Sequence, residues 1–223
     1  PAIIAMTASS LYNMVDSIFI GQGVGPLAIS GLAITFPLMN ISAAFGALVG
    51  VGCATLISVR LGQKEYDTAF KVLGNCVMMN VLLGVTLTVL GFIYLDEILY
   101  FFGASEQTIV YSREYMQVIV LGNVITHLYM GLNAVLRSSG HPHEAMYTTM
   151  VAVLVNVVLD PVFIYGLDMG IRGAAVATII SQSISLLWQL KLFSNKNDVI
   201  YFRRDSFKMR GRIIRDTINR GMP

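Results

Sequence analysis

Charge is what this sequence most lacks. Of its 223 residues only 13% are Asp, Glu, Lys or Arg, whereas a soluble domain carries about 25%. That share cannot cover a water-facing surface. With 55% hydrophobic residues and a mean hydropathy of +0.68, the exterior must instead meet lipid. Cysteine is as scarce: Cys53 and Cys76 both lie inside apolar runs, which excludes a disulfide scaffold and marks them as small buried hydrophobes. Histidine occurs as a lone His127 and a His141-Pro142-His143 loop pair with no further ligands beside it, so soft-metal chemistry finds no support. No basic stretch precedes the opening apolar run, so no cleavable signal peptide is visible, and the natural start of the protein is expected upstream.

What is there is apolar length. A bilayer core of about 30 Å needs about 20 apolar residues in a helix. Six stretches qualify: 2–20, 27–59, 69–95, 115–136, 145–165 and 174–193. They are continuous rather than alternating, which favours helices over a membrane β-barrel. The fold class expected is an all-α polytopic membrane protein of six transmembrane helices. Residues 1–194 form the lobe, and a basic cytoplasmic linker follows over 195–223. Pro37 and Pro161 fall inside spans and are expected to bend them, freeing backbone carbonyls that a cavity or partner must satisfy. Residues 98–102 form an apolar patch in the 96–112 connection, either an interfacial segment or extra length on the third helix.

Charge asymmetry sets the expected orientation. Nine of the fifteen Lys and Arg fall between Lys191 and Arg220. Arg60, Lys64 and Arg137 occupy alternate connections on the same side as that tail. The opposite connections hold Arg113 and Arg172 among Asp96, Glu97, Glu106 and Asp168. By the positive-inside rule both ends of this segment lie in the cytoplasm, in a multi-pass protein of the cell (inner, cytoplasmic) membrane. No nucleic-acid partner is expected; the lipid bilayer is one.

An ionisable side chain within a span costs several kcal/mol unless it faces a protein interior or a water-filled cavity. Asp16 and Asp160 are such residues, and no Lys or Arg lies at comparable depth. An unpaired buried carboxylate binds either a proton or a metal cation, and both are the chemistry of ion coupling. Asn156 and Asp160 are four apart and share a helix face; Tyr115 and Asn133, eighteen apart, share one over five whole turns of a continuous helix. Hydroxyl, amide and carboxylate oxygens suit sodium or a proton network. Small residues on the second span (Gly46, Gly50, Gly52, Ala54) and around Gly173 on the sixth allow close helix approach, placing Thr178 beside a neighbouring helix.

Five segments, in order, carry a resemblance. Tyr12-Asn-Met-Val-Asp16-Ser-Ile-Phe-Ile-Gly21, Arg60-Leu-Gly-Gln63, Leu136-Arg137-Ser-Ser-Gly140, Asn156-Val-Val-Leu-Asp160-Pro161 and Gly173-Ala-Ala-Val-Ala-Thr178 resemble the first half of multidrug and toxic compound extrusion (MATE) transporters. The resemblance implies one six-helix lobe of a twelve-helix protein, with a second lobe of the same chain beyond residue 223 and a monomeric whole. It implies exchange of sodium or protons for small organic, often cationic, drugs by alternating access, without a cofactor and without enzymatic chemistry. Asp16 matches the family's first-helix carboxylate. Tyr115, Asn133, Asn156, Asp160 and Thr178 match positions of a cation site in the amino-terminal lobe of one branch, whereas another branch places its coupling carboxylates in the second lobe. Pro1 resembles the first-helix proline at which that helix bends, and the closing residues 221–223 resemble the entry to a seventh helix.

Other functions fit less well. A lipid-linked precursor flippase of the same wider superfamily would favour a cationic cavity, and the intramembrane charges here are acidic. A membrane enzyme would need a nucleophile–base pair or a metal cluster. A non-transporting membrane subunit leaves Asp160 unexplained, and a channel would show flux far above carrier turnover. The orientation is testable by cysteine-accessibility labelling in intact cells. Positions Gly23 and Asp168 are expected to label from outside, and Gln63 and Ser139 to be protected. Strong external labelling at Ser139 would reverse the topology.

Overall fold

The computed structural model describes residues 2–196 and 198–221. Expectations resting on Pro1 and on residues 222–223 fall outside the described residues. The long helices are α1 (Ala2–Gly23), α2 (Pro26–Gly62), α3 (Tyr66–Phe101), α4 (Ile109–Leu121), α5 (Asn123–Ser138), α6 (Pro142–Pro161) and α7 (Ile171–Phe193), followed by the short α8 (Gly211–Gly221). Five are individually long and apolar enough to cross a bilayer, and α4 with α5 form a sixth crossing bent by 59°.

That bend corrects the expected continuous span over 115–136. The crossing starts at Ile109, earlier than its hydropathy suggests, and turns at Gly122. No proline is involved. The Ile179 side chain of α7 occupies the space that a Cβ at Gly122 would need, so glycine lets α7 press into the corner. Since the helix is not straight, spacing no longer places Tyr115 and Asn133 on one face. At the other proposed bends, α2 runs helically through Pro37, whereas α6 changes directly after Pro161 into a π-helical turn, Val162–Gly166. The apolar patch at 98–102 mostly extends α3, which runs to Phe101 past a single non-helical residue, Tyr94 (φ −114°, ψ 18°).

Two apolar cores stack along the bundle. One lies toward the basic end and joins Val49, Ile57 and Leu73 to Leu136 and Phe193; the other, toward the opposite end, joins Ile20, Leu32, Leu99, Tyr115 and Ile171. Large exposed apolar side chains line α3 from Leu82 to Ile93, as a lipid-facing surface requires. The chain after α7 is docked rather than trailing. Ile200 and Ile213 enter the basic-end core, Phe202 N–H donates to Phe193 O at 2.8 Å, and Arg210 N–H donates to Asn75 Oδ1 at 2.9 Å. In α8, Ile213 and Thr217 face inward while Arg212, Arg215 and Arg220 face out, and Thr217 packs on Gly52.

The turns follow local chemistry. Helix α5 stops at Gly140, whose φ of +95° few other residues adopt, and His141 N–H caps it by donating to Leu136 O at 3.0 Å. Pro142 then opens α6 at a position where its missing N–H costs nothing.

Close glycine contacts hold the helices together. A Cβ at Gly50 would lie 3.2 Å from Gly131 Cα, and one at Gly173 would lie 2.8 Å from the carbonyl carbon of Phe163. Overfilling such contacts costs about 1–3 kcal/mol. Gly50→Val and Gly173→Val are therefore expected to lower the thermal midpoint of the detergent-solubilised full-length protein by several degrees. Gly62→Val, where nothing lies within 4 Å of the added Cβ, is expected to leave it nearly unchanged. Equal losses at all three positions would refute the packing assignment.

Candidate functional site

Helices α1 and α6 bring the two acids together. Asp16 is 4% exposed and Asp160 fully buried, and their carboxyl groups lie within interaction range of one another. Among the described residues no salt bridge involves either. Two adjacent carboxylates in a low-dielectric bundle repel strongly. With no basic partner they cannot both stay charged and bare.

Their surroundings are built from oxygen. Asn156, one turn before Asp160, is buried, and its Nδ2 donates to Thr178 Oγ1 at 3.3 Å. The Thr178 hydroxyl donates to Ala174 O at 3.1 Å, which commits its only proton. Tyr12 O–H must therefore be the donor in the 3.1 Å contact with Thr178 Oγ1. Tyr115, 2% exposed, stands close to Asp16, Tyr12 and Asp160. Four buried oxygens lack a hydrogen-bond partner: Asp16 Oδ1, Asn156 Oδ1 and both Asp160 oxygens. All are acceptors when the acids are ionised, so each calls for a donor or a cation that the surrounding side chains do not supply. This donor set fits a hard ion such as sodium.

The local fold explains the placement. After Pro161 the π turn swings Tyr165 so that its hydroxyl donates to Phe19 O at 3.0 Å, tying α1 to α6 beside the acids. Gly173 lets α7 approach that turn, which brings Thr178 over Asn156. Of the residues singled out in the sequence, Asp16, Tyr115, Asn156, Asp160 and Thr178 thus share one cluster. Asn133 does not join it. Its Nδ2 donates to Ala145 O at 2.8 Å and to the hydroxyls of Thr148 and Thr149 at 3.1 and 3.2 Å. Twelve residues separate Thr148 from Asp160, about 18 Å along α6. There Asn133 belongs to a polar tie between α5, α6 and α7, completed by Ser185 and Gln189 bonding to Thr148. Sequence reasoning passed over Tyr12 as a site residue, although its spacing of four from Asp16 was a usable signal.

A cavity of about 890 Å³ opens beside the cluster. Phe36, Met39, Tyr94, Met116 and Met130 make its wall largely apolar, with Asn123, Thr126 and Gln182 as polar points. Tyr12 and Thr178 also line it and hydrogen-bond each other, Tyr12 from the helix that carries Asp16 and Thr178 from beside Asn156. Glu97 is the one charged residue along its wall among those described.

Comparison with known proteins agrees with this architecture. The MatE family model matches residues 1–162. The multidrug export protein MepA of Staphylococcus haemolyticus is 30% identical over 223 residues, spanning all of this chain and 49% of that protein. A multidrug resistance MATE family transporter of the MOP superfamily solved in an outward-facing conformation superposes with a TM-score of 0.91 at 29% identity, covering 98% of this chain and 49% of that one. Another solved in an inward-facing conformation gives 0.90 at 28% identity, covering 100% and 52%. The chain spans about half the length of the curated relatives it matches. Matched over most of its length by the family's model and sharing the fold of solved members, the chain belongs to the MatE family, that of the MATE transporters.

Proposed function

We propose that this lobe is the ion-coupling half of an antiporter in the cell membrane that exports organic, cationic compounds in exchange for sodium or protons. The observation that carries the reading is the pair of buried acids, Asp16 and Asp160, with unpartnered oxygens and no basic neighbour, behind an apolar cavity whose wall includes Tyr12 and Thr178. Sodium or a proton is cargo here, not a resident cofactor. Asp16, Asn156 and Asp160 would hold the ion, and Tyr12, Tyr115 and Thr178 would complete the polar shell.

The cavity supports the substrate class. Aromatic faces and methionine sulfurs accommodate flat, greasy cations of varied shape, and Glu97 supplies a negative mouth. A lipid-diphosphate flippase would need basic side chains along this wall, and none of the described lining residues is Lys or Arg. Transport would proceed by alternating access, the lobe rocking as a body against a second lobe with both ends of this segment cytoplasmic. In support, the chain superposes almost equally on outward- and inward-facing relatives. Its Tyr12–Thr178 contact offers a route by which ion occupancy at the acids alters the cavity wall.

The test is drug accumulation in cells producing the full-length transporter at matched membrane levels. Asp160→Asn and Asp16→Asn are expected to abolish export while preserving membrane insertion, and Glu106→Gln, on an exposed loop, to leave it near normal. Tyr12→Phe, which removes the bond to Thr178, is expected to slow export partially. Imposed sodium or proton gradients in vesicles then identify the ion. Near-normal export by Asp160→Asn would sink the proposal.

A further inference from the structure

The basic segment after α7 holds two kinds of cation. Arg203, where the segment first docks, is engaged on every side. It pairs with Asp67 at 3.2 Å and with Asp205 at 2.8 Å, and its guanidinium lies 5.2 Å from the centre of the Phe70 ring. Farther on the pattern changes. Residues 207–221 carry Lys208, Arg210, Arg212, Arg215 and Arg220 against a single acid, Asp216. All five are exposed, and among the described residues none of them forms an ion pair. The backbone beneath them is nevertheless fixed. Asn75, fully buried on α3, donates from Nδ2 to Lys208 O at 3.1 Å and accepts from Arg210 N–H at 2.9 Å. Thr217 and Gly221 press on α2 at Gly52 and Leu48. Phe207 and Met209, 36% and 43% exposed, alternate with the first two cations.

Depth identifies the partner. At 37 and 36 residues, α2 and α3 are each about 55 Å long, whereas a bilayer core is about 30 Å thick. Centred in the membrane, each overruns the core by about 12 Å at either end. Gly52 is ten residues from the end of α2 at Gly62, and Asn75 is nine from the start of α3 at Tyr66. The segment therefore crosses both helices about 14–15 Å in from their ends, at the level of the lipid headgroups. Solvated charge needs no such position, and it does not account for apolar side chains exposed between the cations.

We propose that residues 207–221 form a docking surface for anionic phospholipids. Lys208, Arg212 and Arg215 meet the headgroup phosphates, and Phe207 and Met209 enter the acyl boundary. Guanidinium groups match phosphate oxygens in charge and in geometry. Each Lys or Arg held at an anionic surface strengthens association about fivefold. An acidic protein would meet the same charges only by penetrating the headgroup layer. This surface lies outside the ion site and the cavity, so it stands whichever ion or compound is carried.

The test is thermal unfolding of the detergent-solubilised full-length transporter at rising mole fractions of added lipid. Dioleoylphosphatidylglycerol is expected to raise the midpoint by several degrees, and dioleoylphosphatidylcholine to raise it far less. High salt is expected to weaken the phosphatidylglycerol response. Glycerol 3-phosphate, which offers the phosphate without acyl chains, is expected to have no effect. Replacing both arginines, Arg212→Gln with Arg215→Gln, is expected to raise the half-saturating mole fraction of phosphatidylglycerol about twentyfold. Arg212→Lys with Arg215→Lys is expected to stay near the wild type. Equal shifts from the two lipids overturn the proposal, as does an unchanged half-saturation in the glutamine pair. A shift from glycerol 3-phosphate equal to that from the lipid, or one from polyglutamate that phosphatidylglycerol does not reproduce, also overturns it. If the glutamine pair fails to fold, Lys208→Gln with Arg220→Gln, at the two ends of the segment, is measured in its place with the same expectation.

Discussion

In hydrocarbon, every backbone N–H and C=O must be satisfied from within the protein, and the lobe is arranged around that demand. Most of the chain meets it by staying helical for long distances, 37 residues in α2 and 36 in α3. The exceptions are informative because each needs a special arrangement. The turn at Gly140 is capped by His141, the corner at Gly122 is filled by Ile179, and the π turn after Pro161 is closed by Leu167 and Met169 donating back to Val162 and Phe163. Irregular backbone is concentrated at the two places that shape the site, the π turn beside Asp160 and the corner beside the cavity.

Helix association in lipid gains little from apolar burial, so packing must come from close approach and from polar ties. The lobe uses both, in different zones. Glycines bring α2 against α5 and α8, and α7 against the π turn. Asn133, Thr148, Ser185 and Gln189 tie α5, α6 and α7 toward the basic end. Farther along α6, and on α1 beside it, the donors run out: Asn156, Asp160 and Asp16 present acceptor oxygens without protein partners. The tie is mostly paired, with Gln189 Oε1 left over, whereas around the acids four unpartnered oxygens gather in one place. That contrast separates the role of Asn133 from that of Asn156, although both are buried asparagines within spans.

Helix α1 is mostly exposed among its described residues. Asp16 and Ile20 face inward, while Ile3, Leu11, Met14 and Ile18 are exposed. Near the site Tyr12 bonds Thr178, Tyr165 O–H donates to Phe19 O, and Ile20 is buried in the apolar core.

The sequence by itself determined which segments leave water, because transfer into lipid is a property of each segment's own composition. It therefore determined six crossings and the fold class, and it exposed Asp16 and Asp160 as anomalies without needing their neighbours. Asn156, Thr178 and Tyr115 were legible through helical spacing and through likeness to a family. Only the tertiary structure decided what crosses between helices, because a partner across a gap depends on crossing angles and local breaks that no single segment encodes. The bend at Gly122 removed Asn133 from the face of Tyr115, and it did so with a glycine and a neighbouring isoleucine rather than a proline. Docking of the basic segment onto α2 and α3 required the small surface at Gly52 and the amide of Asn75, far away in sequence. Tyr12's bond to Thr178 is likewise a contact between distant helices. Composition states the cost of burying a group, and only packing states what relieves it.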